Sequence, residues 1–93
     1  MKAKRIDSNQ KQLVQQLRKI PGVTVAHTHT IGSGFVDLVI GYKKKNFLIE
    51  LKDSSLPPSR KRLTEDEKRF HDSWTGQVDV VETFEEVLKL INA

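Results

Sequence analysis

The chain has 93 residues, a net charge of +4, 37% hydrophobic residues and no cysteine. This length supports one small domain with a single core, and the lack of cysteine excludes disulfides and thiolate metal sites. No apolar run reaches the ~18 residues of a membrane span. The N-terminal Met-Lys-Ala-Lys-Arg lacks the apolar stretch of a signal peptide, so we expect a cytoplasmic protein without membrane contact.

The charge is divided unevenly along the chain. Residues 1–63 contain 13 Lys or Arg against 4 Asp or Glu, whereas residues 64–93 contain 3 against 8. A basic surface of this kind is typical of proteins that bind phosphate groups. An ordinary solvated surface is the alternative interpretation.

The first predicted element is an amphipathic helix. After a basic tail at residues 1–5, Asp7 or Ser8 can cap a helix that continues to about Ile20. Pro21-Gly22 then predicts its end.

A short strand is predicted at residues 23–27. His27 and His29 follow at a spacing that puts both on one face of a strand, so phosphate or substrate contact, metal binding and simple exposure are all open. Gly32-Ser33-Gly34 predicts a turn, in which glycine either lets a backbone or ligand approach closely or serves the turn alone.

Two short apolar runs come next and predict a β-hairpin. Residues 36–40 and 47–52 are rich in β-branched and aromatic side chains, and residues 41–46 form the connection. Charged residues inside these strands, Asp37, Glu50 and Lys52, are costly to bury unless they are paired or bind a metal.

The second half alternates helix and strand. Residues 53–59 form a loop with two prolines. The Thr64–Glu67 capping box opens a helix to about Trp74, with Phe70 and Trp74 on its buried side. Residues 78–82 predict a fourth strand, and the Thr83–Glu86 capping box opens the last helix.

The resulting order is α-β-β-β-α-β-α in a single domain over residues 1–93. This order predicts the α/β (α+β) fold class. The first three strands should form an antiparallel meander. The fourth strand, which follows a helix, should join the sheet in parallel. We therefore expect a mixed four-stranded sheet flanked by helices.

Hairpin register brings the three charged residues together. Pairing around a turn near residue 44 places Asp37 beside residues 50–52, and Glu50 and Lys52 point to one face while Leu51 points to the core. Two close carboxylates repel each other unless a cation bridges them, and oxygen ligands favour Mg²⁺ or Mn²⁺. The backbone carbonyl of Leu51 is a further candidate ligand. A surface Asp beside a Glu50–Lys52 salt bridge is the alternative.

These residues resemble a known nuclease motif. Asp-(12 residues)-Glu-x-Lys on a hairpin after a first helix resembles the PD-(D/E)XK superfamily. Within it, the chain is similar to the VRR-NUC (virus-type replication-repair nuclease) domain, found in small phage proteins. Segments that carry the resemblance are 7–10, 32–41, Glu50-Leu51-Lys52-Asp53, Pro58-Ser59, Leu63-Thr64 and Phe70-His71.

The resemblance implies a restriction-endonuclease-like α-β-β-β-α-β core and Mg²⁺- or Mn²⁺-dependent phosphodiester hydrolysis. Asp37 and Glu50 would be the metal-binding carboxylates and Lys52 the catalytic lysine. The first-helix Glu of many relatives has no clear counterpart, and Asn9 or Gln10 falls near its position as a weaker ligand. Glu67 takes the place of a second-helix Gln of some relatives, and it also caps the helix.

We therefore predict a metal-dependent DNA endonuclease, from a phage or its bacterial host, that acts as a homodimer on branched DNA such as a four-way junction. Its predicted nucleic-acid contacts are Arg60, Lys61, Arg62, Ser33 and His29, with Phe84 among candidate dimer contacts. A nucleic-acid-binding module with the same fold and little or no catalysis is the alternative, and a domain that binds acidic proteins is a third.

Overall fold

The computed structural model describes residues 8–93, and the predicted basic tail and the possible cap at Asp7 lie outside this range. Three α-helices and four β-strands follow the predicted order. Their bounds are α1 Ser8–Arg18, β1 Thr24–His27, β2 Leu38–Tyr42, β3 Lys45–Leu51, α2 Glu65–Ser73, β4 Asp79–Val81 and α3 Phe84–Ile91, with a 3₁₀ turn at Pro58–Arg60. None of the described helices is long and apolar enough to cross a membrane.

The four strands form one mixed sheet in the order β1-β2-β3-β4. β1, β2 and β3 pair as an antiparallel meander, and β4 pairs in parallel with β3. This confirms the predicted fold class, because a two-residue hairpin enforces antiparallel pairing whereas the helical connection through α2 permits the parallel one.

The core lies between the sheet and the helices α1 and α3. Leu13 and Leu17 of α1 recur at helical spacing, and Val87 and Ile91 of α3 do the same, so each helix presents one apolar stripe. The sheet contributes its buried face, with Leu38, Ile40, Ile49, Leu51 and Val81. Phe84, a candidate for either a dimer contact or the core, is half-buried and packs against this core.

The turn of the β2–β3 hairpin is shorter than the predicted connection at residues 41–46. Tyr42 pairs with Lys45, so only Lys43 and Lys44 form the loop, and both have positive φ angles of 53° and 68°. Positive φ at both positions is the geometry that matches the right-handed twist of the flanking strands. The strands therefore extend further than their apolar runs, and the lysine turn lies at the opposite end of the hairpin from Asp37.

Both predicted capping boxes are confirmed. The side chain of Thr64 accepts a hydrogen bond from the backbone N–H of Glu67, and the Glu67 carboxylate accepts one from the N–H of Thr64. Thr83 and Glu86 make the same reciprocal pair at the start of α3. Each box satisfies backbone donors that the helix itself leaves free.

Only part of the predicted burial of α2 is correct. Phe70 is half-buried and stacks with Trp74 at a centroid distance of 5.0 Å, but Trp74 is 43% exposed. The reason is that Trp74 is the C-cap residue of α2, where the chain turns into extended backbone. Its ring therefore rests on Phe70 with a large part of its surface facing solvent.

The turn before β2 packs against the start of α2 through Gly34. Gly34 has φ +80°, and a Cβ at this position would lie 2.1 Å from the carbonyl oxygen of Asp66. The close approach predicted for this glycine is thus confirmed, and the partner is the backbone of α2. This contact holds the segment that precedes Asp37 against the helix that carries Glu67.

Replacing Gly34 with Ala is expected to destabilise the protein by about 2–3 kcal/mol, because the new methyl group adds a backbone clash to an unfavourable φ angle. Gly22→Ala is the matched control, since Gly22 has φ +83° but a Cβ there would meet only a Tyr42 ring carbon, at an ordinary contact distance of 3.8 Å. The control should cost only about 1 kcal/mol. Urea unfolding of both variants measures the difference, and equal losses would contradict the close packing of Gly34 on α2.

Candidate active site at the open end of the β2–β3 hairpin

Asp37 lies where three neighbouring strands are joined. Its carbonyl accepts a hydrogen bond from Thr28 N at 2.9 Å, and its own N–H donates to the carbonyl of Ile49 at 3.1 Å. Its side-chain Oδ2 accepts a hydrogen bond from Leu51 N at 2.9 Å. The carboxylate is therefore fixed beside β3, next to the position that the register assigns to Glu50.

Strand geometry places Glu50 and Lys52 beside this carboxylate. Residues two apart on a strand share a face, and Lys52 Nζ lies 3.7 Å from Glu50 Oε2. Leu51, between them, is buried in the core as predicted. Glu50 is only 1% exposed, so the structure brings Asp37, Glu50 and Lys52 together at one end of the hairpin and buries the central carboxylate.

Glu67 is the fourth member of the cluster, and sequence reasoning assigned it only to the helix cap and to the position of a relative's glutamine. Its Oε1 accepts a hydrogen bond from Lys52 Nζ at 2.9 Å as well as from Thr64 N. Its side chain is almost fully buried. The contact with Lys52 could not be predicted from the sequence, because the Thr-x-x-Glu capping box already accounts for a glutamate at this position without a partner elsewhere in the fold.

Burial and crowding shift the proton equilibria of this cluster in opposite directions. Burial, together with the charges of Asp37 and Glu67, raises the pKa of Glu50 to about 9. Burial alone would raise the pKa of Glu67, but hydrogen bonds from Lys52 and from Thr64 N outweigh it and lower that pKa to about 2. Burial opposes the charge on Lys52, yet its bond to Glu67 and the other carboxylates leave its pKa raised.

The cluster therefore has one ammonium group for three carboxylates. Within residues 8–93, Glu50 Oε1 is a buried oxygen without a hydrogen-bond partner. Ionised carboxylates only accept hydrogen bonds, so Glu50 can bond to Asp37 or Glu67 only as the neutral acid. Either a proton or a cation must balance the excess negative charge at this oxygen.

The donor set fits a hard divalent cation. Carboxylate oxygens are the ligands that Mg²⁺ and Mn²⁺ prefer, and the side chain of Glu50 lies next to the carboxylate of Asp37. Among the described residues, no group of three or more His, Asp and Glu side chains stands ready as a metal site. Lys52 bonds to Glu67 and the backbone of β3 bonds to one oxygen of Asp37, so Asp37 and Glu50 are the candidate pair.

Comparisons with known proteins do not assign the chain to a family. No family model matches the chain, and no curated protein or solved structure matches it significantly. The resemblance to the VRR-NUC domain therefore depends on the residues quoted above and stays a prediction.

The three basic residues after β3 differ in their surroundings. Arg60 and Arg62 are exposed, whereas Lys61 is half-buried and its Nζ contacts Glu82 Oε1 at 3.0 Å. They lie between Lys52 and the cap of α2 in the chain. Arg60 and Arg62 are thus the better placed of the three to contact a phosphate.

The two predicted nucleic-acid contacts in the segment before β2 differ in their exposure. Ser33 is exposed and has a positive φ of 55°. His29 is only 7% exposed, and its Nδ1 is buried without a hydrogen-bond partner in the described part of the chain. The His29 ring therefore lies largely in the interior, where it meets the edge of His27 at 5.8 Å, and Ser33 is the better candidate for contact with a ligand.

The first turn of α1 was the predicted source of a further metal ligand. Gln10 is buried and its amide Nε2 donates to His27 Nδ1 at 3.1 Å, which links α1 to β1. Burial and the nearby Arg18 and His29 lower the pKa of His27, in keeping with a neutral ring that accepts this bond. Asn9 is half-buried on the same turn, and a metal ligand at either position stays a prediction.

Proposed function

We propose that the protein is a metal-dependent nuclease that hydrolyses phosphodiester bonds in DNA. The observation that carries this proposal is the buried cluster of Asp37, Glu50, Lys52 and Glu67, in which a carboxylate oxygen lacks a partner beside a lysine held as a cation. A cluster that keeps excess negative charge in the protein interior is unstable unless it serves a ligand.

Each residue has a distinct part in this chemistry. Asp37 and Glu50 would hold Mg²⁺ or Mn²⁺, with the carbonyl of Leu51 as a further ligand. When bound, such an ion neutralises charge on the scissile phosphate and lowers the pKa of water that attacks it. Lys52 Nζ, which Glu67 fixes in position, would stabilise the negative charge that develops on the phosphate oxygens.

The role of Lys52 follows from its partner. A lysine that acts as a general base must lose its proton near neutral pH, which requires a lowered pKa. The bond to Glu67 raises the pKa of Lys52 instead. We therefore assign Lys52 to electrostatic stabilisation and leave the activation of water to the carboxylate-bound ion.

The protein would bind its substrate through the phosphate groups. Arg60 and Arg62 are exposed and follow Lys52 in the chain, and Lys61 can join them when it leaves Glu82. Phosphate contacts of this kind give affinity and position without reading sequence. A homodimer acting on a four-way junction remains the proposed assembly, with two sites that cut symmetric strands.

Cleavage of a defined DNA panel tests the proposal. Supercoiled, single-stranded, flap and four-way-junction DNA are incubated with Mg²⁺, with Mn²⁺ and with chelator. We expect metal-dependent cutting, symmetric on the junction, that Asp37→Asn reduces by at least about 100-fold. Asp72→Asn, an exposed position on α2, is the isosteric control and should cut normally. Full activity of Asp37→Asn would overturn the assignment.

A nucleic-acid-binding module without catalysis is the second candidate. The observation in its favour is that no three-ligand metal group stands ready within residues 8–93, while Lys52 already has two acidic partners. Under this alternative, DNA binds in a salt-sensitive manner, but Mg²⁺ and Mn²⁺ neither promote cleavage nor raise the melting temperature.

A further inference from the structure

Three large apolar side chains of the described chain are exposed, each on a segment that adjoins the cluster in sequence or in strand register. The large ones are Ile31, Trp74 and Val80, at 62%, 43% and 44% exposure. Ile31 lies in the segment between Thr28 and Asp37, and Val80 is the register partner of Glu50 on β4. Trp74 ends the helix that carries Glu67. A basic surface alone does not require apolar groups at these places.

Trp74 lies along the same helical face as Glu67. Glu67, Phe70 and Trp74 are spaced i, i+3 and i+7, which puts them in one row along α2. The distance along the helix axis from Glu67 to Trp74 is ~10 Å, close to three nucleotide steps of a DNA strand. A nucleic acid with a phosphate at Lys52 would therefore have bases within reach of the indole.

The indole is held in a fixed orientation. Trp74 stacks on Phe70 with an interplanar angle of 28°, and Phe35 meets Phe70 edge-on at 5.2 Å. One face of the indole is thus supported by Phe70, and Gly76 lies beside its nitrogen, where a Cβ would be 2.9 Å from Trp74 Nε1. The residue nevertheless stays 43% exposed. A rigid aromatic ring with an open surface is the kind of group on which nucleobases stack.

We propose that Trp74 is a stacking platform for an unpaired nucleobase of the substrate. This inference rests on the proposed nuclease function, because the phosphodiester at the cluster is what brings a base to Trp74. Bases inside a duplex are stacked on their neighbours on both sides, so only a nucleotide from a single strand, flap or branch point has a free face to offer. The site would accordingly prefer DNA with unpaired nucleotides beside the bond that is cut.

The chain offers a direct measurement, since Trp74 is its only tryptophan. The full-length protein is titrated in chelator, so that binding occurs without metal, with a thymidine oligonucleotide of about 12 residues. A second oligonucleotide has the same length and phosphates but abasic residues. We expect the thymidine oligonucleotide to quench the tryptophan emission and the abasic one to leave it nearly unchanged, although salt-sensitive binding of both is seen by anisotropy.

Variants separate stacking from charge. Trp74→Ala should weaken binding of the thymidine oligonucleotide by about 5- to 100-fold and leave the abasic one unaffected, while Trp74→Phe keeps most of the affinity. Arg62→Ala is the matched control and should weaken both oligonucleotides alike, since it removes a phosphate contact. Melting curves followed by circular dichroism verify that each variant is folded.

Several results would overturn the inference. Equal quenching by the abasic oligonucleotide would mean that Trp74 senses the backbone. Emission that changes with protein concentration, together with a doubled mass in light scattering and no response to DNA, would assign Trp74 to a contact between two copies. If Trp74→Ala binds normally while Asp37→Asn is inactive, the stacking proposal fails alone. If base-dependent quenching is seen but Asp37→Asn still cuts, the assignment of catalysis to the Asp37 cluster fails alone.

Discussion

Replacing Glu50 with Gln is expected to stabilise the metal-free protein and to abolish cleavage. Glu50 is almost completely buried, and its Oε1 has no hydrogen-bond partner among the described residues. A glutamine amide can donate to Asp37 or Glu67 at any pH, whereas Glu50 can donate only as the neutral acid and must take up a proton to do so above pH 4.5. Removing one buried unsatisfied group contributes ~1–3 kcal/mol, which corresponds to at least ~4 °C in melting temperature for a domain of this size.

The pH dependence of stability separates this effect from ordinary packing. The pKa of Glu50 is raised from 4.5 to about 9 in the folded protein, so the folded state binds the proton more tightly than the unfolded state. Its contribution is complete below pH 4.5 and is lost as the pH rises toward 9. The pKa of Glu67 is lowered from 4.5 to about 2, so its contribution is present above pH 4.5 and is lost on acidification. Metal-free protein should therefore be most stable near pH 4.5.

Melting curves without metal, taken from pH 4 to pH 9, test both statements. The wild type should lose stability toward pH 9, whereas Glu50→Gln should be nearly flat over the same interval. Glu85→Gln, an exposed position on α3, is the control and should follow the wild type. At pH 8, Mg²⁺ should raise the melting temperature of the wild type more than that of Glu50→Gln. A destabilised Glu50→Gln at pH 8 would show that the carboxylate is satisfied without a cation.

The part of the site that lies in the hairpin could be predicted from the sequence. The two-residue period of a strand determines which side chains share a face, and the pairing register of a hairpin follows from counting residues outward from its turn. Asp37 and Glu50 are therefore brought together by information contained within 14 residues. The same reasoning predicted that Leu51 faces the core.

The remaining features depend on how distant segments pack. The contact of Lys52 with Glu67 joins residues 15 positions apart, through a helix whose placement on the sheet is not encoded in its own pattern. Trp74 was predicted to be buried because it follows Phe70 at helical spacing, but the helix ends at that point. The turn near residue 44 was predicted, but its two-residue length was not, because lysine is uncommon at positive φ. A cation–π contact of Lys43 with the Tyr42 ring at 5.2 Å accompanies the turn.

Replacing Lys52 with Met is expected to lower the cleavage rate by about 100- to 1,000-fold, since the methionine keeps the volume of the side chain but supplies no charge to the phosphate. The fold should persist, but two carboxylates then lose their cation, so the metal-free variant should melt at a lower temperature than the wild type. Mg²⁺ should restore part of that stability without restoring the rate. A variant that is stable and still cuts would exclude Lys52 from the chemistry.

Glu67→Gln tests whether Glu67 positions Lys52 and tunes its charge. Glutamine at this place still completes the capping box, so helix α2 keeps its N-terminal hydrogen bonds. The ion pair with Lys52 is lost, however. Burial, which lowers the pKa of Lys52, is then opposed by fewer negative charges. If Lys52 works as a cation, the alkaline limb of the pH–rate profile should move to lower pH in Glu67→Gln, while the rate on the plateau falls modestly. An unchanged profile with an unchanged rate would restrict Glu67 to the cap, and a profile that moves to higher pH would contradict the assigned role of Lys52.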